Sequence, residues 1–122
     1  MNFLNNLNVK LKDGSDSIWV LCRPLEYWSE LAGLIIVPTG FETDFASVPR
    51  LPFIYTLWGD RVHREAVLHD YLYRKQLPFG LCNKIFLEAM KSRGVPWHIR
   101  YPMYWGVCIG GFAAYKRYRD GR

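Results

Sequence analysis

The side chains best able to do chemistry fall into two short boxes. The first is His69-Asp70-Tyr71-Leu72-Tyr73. An imidazole can act as general base, metal ligand or structural bridge, and a neighbouring carboxylate can orient it. The second box is Phe41-Glu42-Thr43-Asp44-Phe45-Ala46-Ser47-Val48-Pro49-Arg50, which gathers two acids, two hydroxyls and an arginine. Asp44 could ligate a metal or orient His69. Ser47 could be a nucleophile, or could cap a helix before Pro49. Arg50 could hold an anionic substrate group or a buried carboxylate. Taken together the boxes outline a hydrolase site. His69, Asp70 and Asp44 would be its catalytic groups, Arg50, Ser47 and Tyr73 its substrate contacts, with a divalent metal of open identity. The blander reading is a satisfied core histidine, an Asp70–Arg74 surface pair and local turn chemistry at Asp44 and Ser47.

No spacing matches a zinc signature. His63 and His69 are six apart and lie on different helix faces, so H-x-x-x-H is absent. Glu65 and His69 are four apart and could share a metal. A Walker loop, G-x-G-x-x-G and the G-x-S-x-G elbow are all missing.

The element that must carry the first box is legible from periodicity. Val62, Ala66, His69 and Tyr73 recur at i, i+4, i+7 and i+11, one face of a helix over residues 61–76. His69 and Tyr73 therefore point inward, and Asp70 is offset by about 100°. Pro78-Phe79-Gly80 ends that helix. A second over residues 81–92 places Cys82, Ile85 and Ala89 on one face, with Gly94 as its cap. A third opens at Pro96, with a kink expected at Pro102, and runs to about residue 119. Upstream, residues 17–22, 25–28 and 34–37 are rich in β-formers. Pro38-Thr39-Gly40 makes a turn, residues 41–44 resume an extended path, and Asp13-Gly14-Ser15 is an earlier turn. Residues 51–58 are apolar and suit a short helix or buried loop. Strands first and helices afterwards predict an α+β fold: a small N-terminal antiparallel sheet packed against about three C-terminal helices. A chain of 122 residues fits one domain, 1–122.

Half of the chain is hydrophobic, which excludes disorder, and it can bury a core without staples. The net charge of +5 permits attraction to anionic surfaces. The basic residues are scattered, however, and the densest run, Lys116-Arg117-Tyr118-Arg119, suits a solvated helix end. Nucleic acid therefore ranks last among partners. Cys22, Cys82 and Cys108 are too few and too far apart for a zinc pair and are expected as buried free thiols in a reducing compartment. The N-terminus is too polar for a signal peptide. The apolar run from Met103 to Tyr115 is too short to span a membrane. It is expected as a buried core helix, with peripheral membrane contact and an oligomer face as alternatives. Gly106 and Gly110 give it small-xxx-small spacing.

The two boxes together resemble a family of phage and prophage proteins of about this length, domain of unknown function 1353. The matching pieces are Val37-Pro38-Thr39-Gly40-Phe41, Thr43 to Arg50 (TDFASVPR), Ala66 to Arg74 (AVLHDYLYR) and Ile85 to Met90 (IFLEAM). Met103-Tyr104-Trp105 with Gly110-Gly111 closes the set. The resemblance implies a phage or prophage origin, hence the host cytoplasm or the virion, and phage or host proteins as partners; it names no activity. Members of this family often carry an acid near the start of the second helix, where this chain reads Cys82-Asn83-Lys84. If that acid orients the histidine, Asn83 can still hydrogen-bond to it but cannot support an imidazolium by charge. More loosely, H-D-x-x-Y is similar to the catalytic helix of small secreted phospholipases. That likeness would make His69 the base, Asp70 a calcium ligand and Tyr73 a support, but the glycine-rich calcium loop and the disulfides are missing. Two readings stand level: a hydrolase, metal-assisted, and a non-catalytic virion, tail or host-interaction protein in which the same residues form a structural network.

Overall fold

The computed structural model describes residues 3–15, 18–43 and 63–119. Its strands are β1 (Val9–Leu11), β2 (Trp19–Leu21), β3 (Leu25–Ser29), β4 (Gly33–Val37) and β5 (Glu42–Thr43). The helices are α1 (His63–Arg74), α2 (Phe79–Ser92), α3 (Trp97–Gly110) and α4 (Phe112–Arg119). The fold is α+β, with strands first and helices after.

The strands form two antiparallel sheets where one was expected. One is β1-β2-β5 and the other is the β3-β4 hairpin. Strand β1 escapes sequence reading because it has three residues and its middle one is a lysine; it exists by pairing Val9 to Leu11 against Leu21 to Trp19. The hairpin alternates as a half-buried sheet must. Leu25, Tyr27, Ser29, Ile35 and Val37 face inward, whereas Trp28, Leu34 and Ile36 face out. Its three-residue loop closes with Gly33 at φ 79°, and the Ser29 hydroxyl accepts from the amides of Leu31 and Ala32. The expected Pro38-Thr39-Gly40 turn returns the chain to β2, where the Gly40 amide donates to the Leu21 carbonyl. From there β5 pairs Thr43 with Trp19. Strand β5 lies within the second box, whose residues 44–50 are outside the described residues.

Helix α1 runs through the middle of the fold. Val67, Leu68 and Leu72 pack with Leu21, Leu25, Tyr27 and Val37 from the sheets. Ala66 packs with Phe86 and Met90 of α2 and with Ile99, Met103 and Val107 of α3. Cover on several sides buries Glu65 and Asp70 along with the apolar residues. Helix α2 ends as expected at Gly94, with φ 79°. The amide of Gly94 donates to Lys91 and that of Val95 to Met90, the paired bonds of a Schellman motif.

The expected third helix is two. Pro102 stays inside α3, and the break comes at Gly110-Gly111. The expected burial of Met103–Tyr115 is corrected as well. Met103, Val107 and Ala114 are buried, but Trp105, Ile109 and Phe112 are exposed, because α3 covers α2 on one side only. No helix among the described residues is long and apolar enough to cross a membrane. Cysteine burial is also corrected. Cys82 is buried and Cys108 half-buried, but Cys22, at the end of β2, is exposed; all three are free.

Candidate functional site

Helical periodicity places His69 and Tyr73 on one inward face of α1, and both are completely buried. Helix α2 supplies what they meet. The Oδ1 of Asn83 lies 2.8 Å from His69 Nε2 and accepts the Tyr73 hydroxyl at 2.8 Å. A carboxamide oxygen has only lone pairs, so Nε2 must carry the imidazole proton and Nδ1 the lone pair. The Asn83 Nδ2 points to Cys108 Sγ of α3, 3.8 Å away. Three helices are thus joined through one amide. Aromatic rings wall the cluster: Tyr73 lies 4.1 Å and Phe86 4.9 Å from the His69 centroid, and Tyr115 meets Tyr73 edge-on at 5.3 Å.

Burial governs the electrostatics. It pushes the His69 imidazole down to about 4, against the opposing pull of the Asn83 bond. At neutral pH the ring is therefore uncharged. Burial raises the Tyr73 phenol beyond its ordinary range and pushes the Cys82 thiol up to about 12. A general base works best with a pKa near the working pH, and this histidine is far below it. The cluster is a set of neutral donors and acceptors.

Asp70 belongs to a different cluster. It is fully buried rather than at the surface. Its Oδ1 accepts the Tyr118 hydroxyl of α4 at 2.8 Å, and its Oδ2 is 3.7 Å from Arg74 Nη2. The Arg74 guanidinium lies over the rings of Phe41 and Tyr118 at 5.2 and 4.8 Å. The expected Asp70–Arg74 pair is present, with a buried acid and a half-open arginine. Asp44, Ser47 and Arg50 lie outside the described residues.

A second buried acid sits one turn before His69. Glu65 has no exposure, and neither of its carboxylate oxygens accepts a hydrogen bond from another residue. Arg93 Nη1 lies 3.5 Å from Oε1. Burial pushes this carboxyl up to about 7, with Arg93 opposing. The charge of Glu65 therefore changes near neutrality. Among the described residues, no three of His, Cys, Asp and Glu converge as a metal site.

Asn83 is the partner that spacing along one helix could not reveal, since it lies fourteen residues from His69 on another element. Gly111 is a second. A Cβ there would stand 2.5 Å from both the Tyr73 hydroxyl and the Val107 carbonyl oxygen, so a side chain at the α3–α4 junction would press on the phenol that bonds Asn83 and on the backbone of α3. Gly106 and Gly110 had the suggestive spacing, yet a Cβ on Gly110 would meet nothing.

A family model described as a protein of unknown function (DUF1353) matches residues 19–107. The chain belongs to this family. The DUF1353 match takes in His69, Asp70, Tyr73 and Asn83 together with the 41–50 box, and stops short of Gly111 and Tyr118. No curated protein and no solved structure matches the chain.

Proposed function

We propose that this DUF1353 protein is a non-catalytic phage or prophage protein, a virion or tail component or a host-interaction factor, in which the His69 cluster is a structural network. One observation carries the reading. His69 and Tyr73 each place a hydrogen bond on the single Asn83 oxygen, and all three side chains are buried. Fully satisfied buried networks fix one packing of a core. An imidazole at about 4 is poorly matched to base catalysis at neutral pH. The phage origin rests on the resemblance of the two boxes, and with that origin goes an expected location in the host cytoplasm or the virion.

The test is His69→Ala together with Asn83→Ala, each expected to lose about 2–4 kcal/mol in urea unfolding, since each leaves buried polar groups unmatched. The wild type is expected to hydrolyse no lipid, peptide or nucleotide substrate in a panel. A wild-type hydrolysis that folded His69→Ala protein lacks would overturn the proposal. Mass spectrometry of purified particles then separates a virion component from a host-interaction factor.

A metal-assisted hydrolase is the second reading, and Glu65 favours it. A buried carboxyl at about 7, one turn from His69, has the character of a general acid or base. That site would use His69 with Asp44 or Asp70, Arg50, Ser47 and Tyr73 as substrate contacts, and a divalent metal. Elemental analysis of the purified protein, followed by the same panel with Glu65→Gln, tests it.

A further inference from the structure

The outward face of α3 is apolar, where a surface helix ordinarily presents polar residues. Trp97, Tyr101, Trp105 and Ile109 follow at four-residue intervals and are 68, 42, 61 and 80% exposed; Phe112, opening α4, is 45% exposed. Such spacing keeps side chains on one side of a helix, here along about 18 Å of axis. The opposite side, with Ile99, Met103 and Val107, already fills the core against α2. The packing of α3 therefore does not account for the outer stripe. Its uncovered area is on the order of 500 Å², taking 150–250 Å² per aromatic side chain. Contiguous patches of that size mark partner or membrane surfaces.

Charge says which. Between Ala89 and Arg119 there are six lysines and arginines and no acid, whereas elsewhere ten basic residues are outnumbered by eleven acids. Exposed Lys116 lies one turn beyond Phe112 on the same face of α4, with exposed Arg117 beside it. The Arg100 guanidinium lies 5.2 Å from the Tyr101 ring centroid. We propose that this face docks α3 in the plane of an anionic lipid bilayer. Trp97, Tyr101 and Trp105 would sit at headgroup depth, Ile109 and Phe112 would enter the acyl boundary, and the basic side chains would meet lipid phosphates. A second copy of the chain fits less well. The stripe falls short of the roughly 800 Å² per partner of a stable interface, and symmetric pairing would oppose like charges. Nucleic acid fits less well too, because Ile109, the most exposed side chain, offers no ring for a base to stack on. The proposal is independent of whether the His69 network is structural or catalytic.

The test is flotation of the full chain with vesicles of phosphatidylcholine alone or mixed with phosphatidylglycerol, read alongside tryptophan emission. Expected is binding to the mixed vesicles with a blue shift, and at least about tenfold weaker binding to phosphatidylcholine alone or at high salt. Ile109→Ser, and separately Lys116→Glu with Arg117→Glu, should each weaken binding about tenfold with the thermal midpoint unchanged. Should the charge pair disturb folding, Ile109→Ser at an 80% exposed site carries the decision alone. No binding to mixed vesicles overturns the proposal. So does equal binding to both vesicle types, a dimer that Ile109→Ser dissolves, or salt-sensitive oligonucleotide binding without vesicle binding.

Discussion

Glu65 and His69 stand one turn apart on α1 and respond to burial in opposite senses. Glu65 titrates at about 7 in the folded protein against an ordinary 4.5. Between those values the folded state alone holds the proton, so its contribution to stability is present below about 4.5. It falls as pH rises through 7, by about 3 kcal/mol at 1.36 kcal/mol per unit. His69 titrates at about 4 against an ordinary 6.5. Between these values only the unfolded chain holds the proton, so stability rises with pH across that window. From about 4.5 to 6.5 the two slopes oppose each other. Glu65→Gln removes the falling one. Relative to wild type, the variant is expected to gain about 3 kcal/mol between pH 4.5 and pH 8 in urea unfolding. A difference that does not change with pH would show that Glu65 is not held protonated by burial.

At the level of elements, the molecule depends on how closely α1, α2 and the α3–α4 junction approach one another. Gly111 has φ −79°, ψ −15°, a helical conformation open to any residue, so its lack of a side chain serves space rather than backbone freedom. Gly111→Ala is expected to cost about 1–3 kcal/mol, as overpacking does, and Tyr73→Phe in the same chain should return part of that loss by removing the hydroxyl. Thermal midpoints of the two single variants and the double variant check this; strict additivity would separate Gly111 from the Tyr73–Asn83 bond. Gln76 lies just past the same end of α1. It adopts φ 58°, a left-handed conformation that favours glycine, and its side-chain amide donates to the carbonyls of Tyr73 and Tyr115, tying α1 to α4.

At the scale of the whole molecule, one carboxylate joins the hairpin to the helices. Glu88 of α2 accepts the Tyr27 hydroxyl of β3 at 2.5 Å and the Glu30 amide of the hairpin loop at 3.1 Å. Bonds to an ionised acceptor are worth about 1.5–3 kcal/mol each. Glu88→Ala should therefore loosen the β3-β4 hairpin before it loosens α1. Amide hydrogen exchange is expected to speed up in residues 25–37 while the α1 amides keep their protection. A uniform loss across both would assign Glu88 to a single cooperative unit. The outer surfaces also differ in charge. The hairpin shows Trp28, Leu34 and Ile36 beside Glu26 and Glu30, whereas α3 shows its aromatic stripe in an acid-free stretch.

The sequence by itself determined the α+β order, the α1 helix and the inward direction of His69 and Tyr73, because hydrophobic periodicity is local and reports which face of an element is apolar. The resemblance also marks Asn83 as a residue able to bond the histidine. Periodicity cannot report how many faces are covered. Spacing alone therefore leaves Asp70 open to a surface pair, although α4 lies over it, and makes the α3 run core, although Trp105 and Ile109 on its outer side are exposed. The Asn83–His69–Tyr73 junction, the space Gly111 leaves for it and the Glu65–Arg93 approach each join residues from different elements. Only tertiary packing sets those distances, and burial then decides which of these groups carries charge.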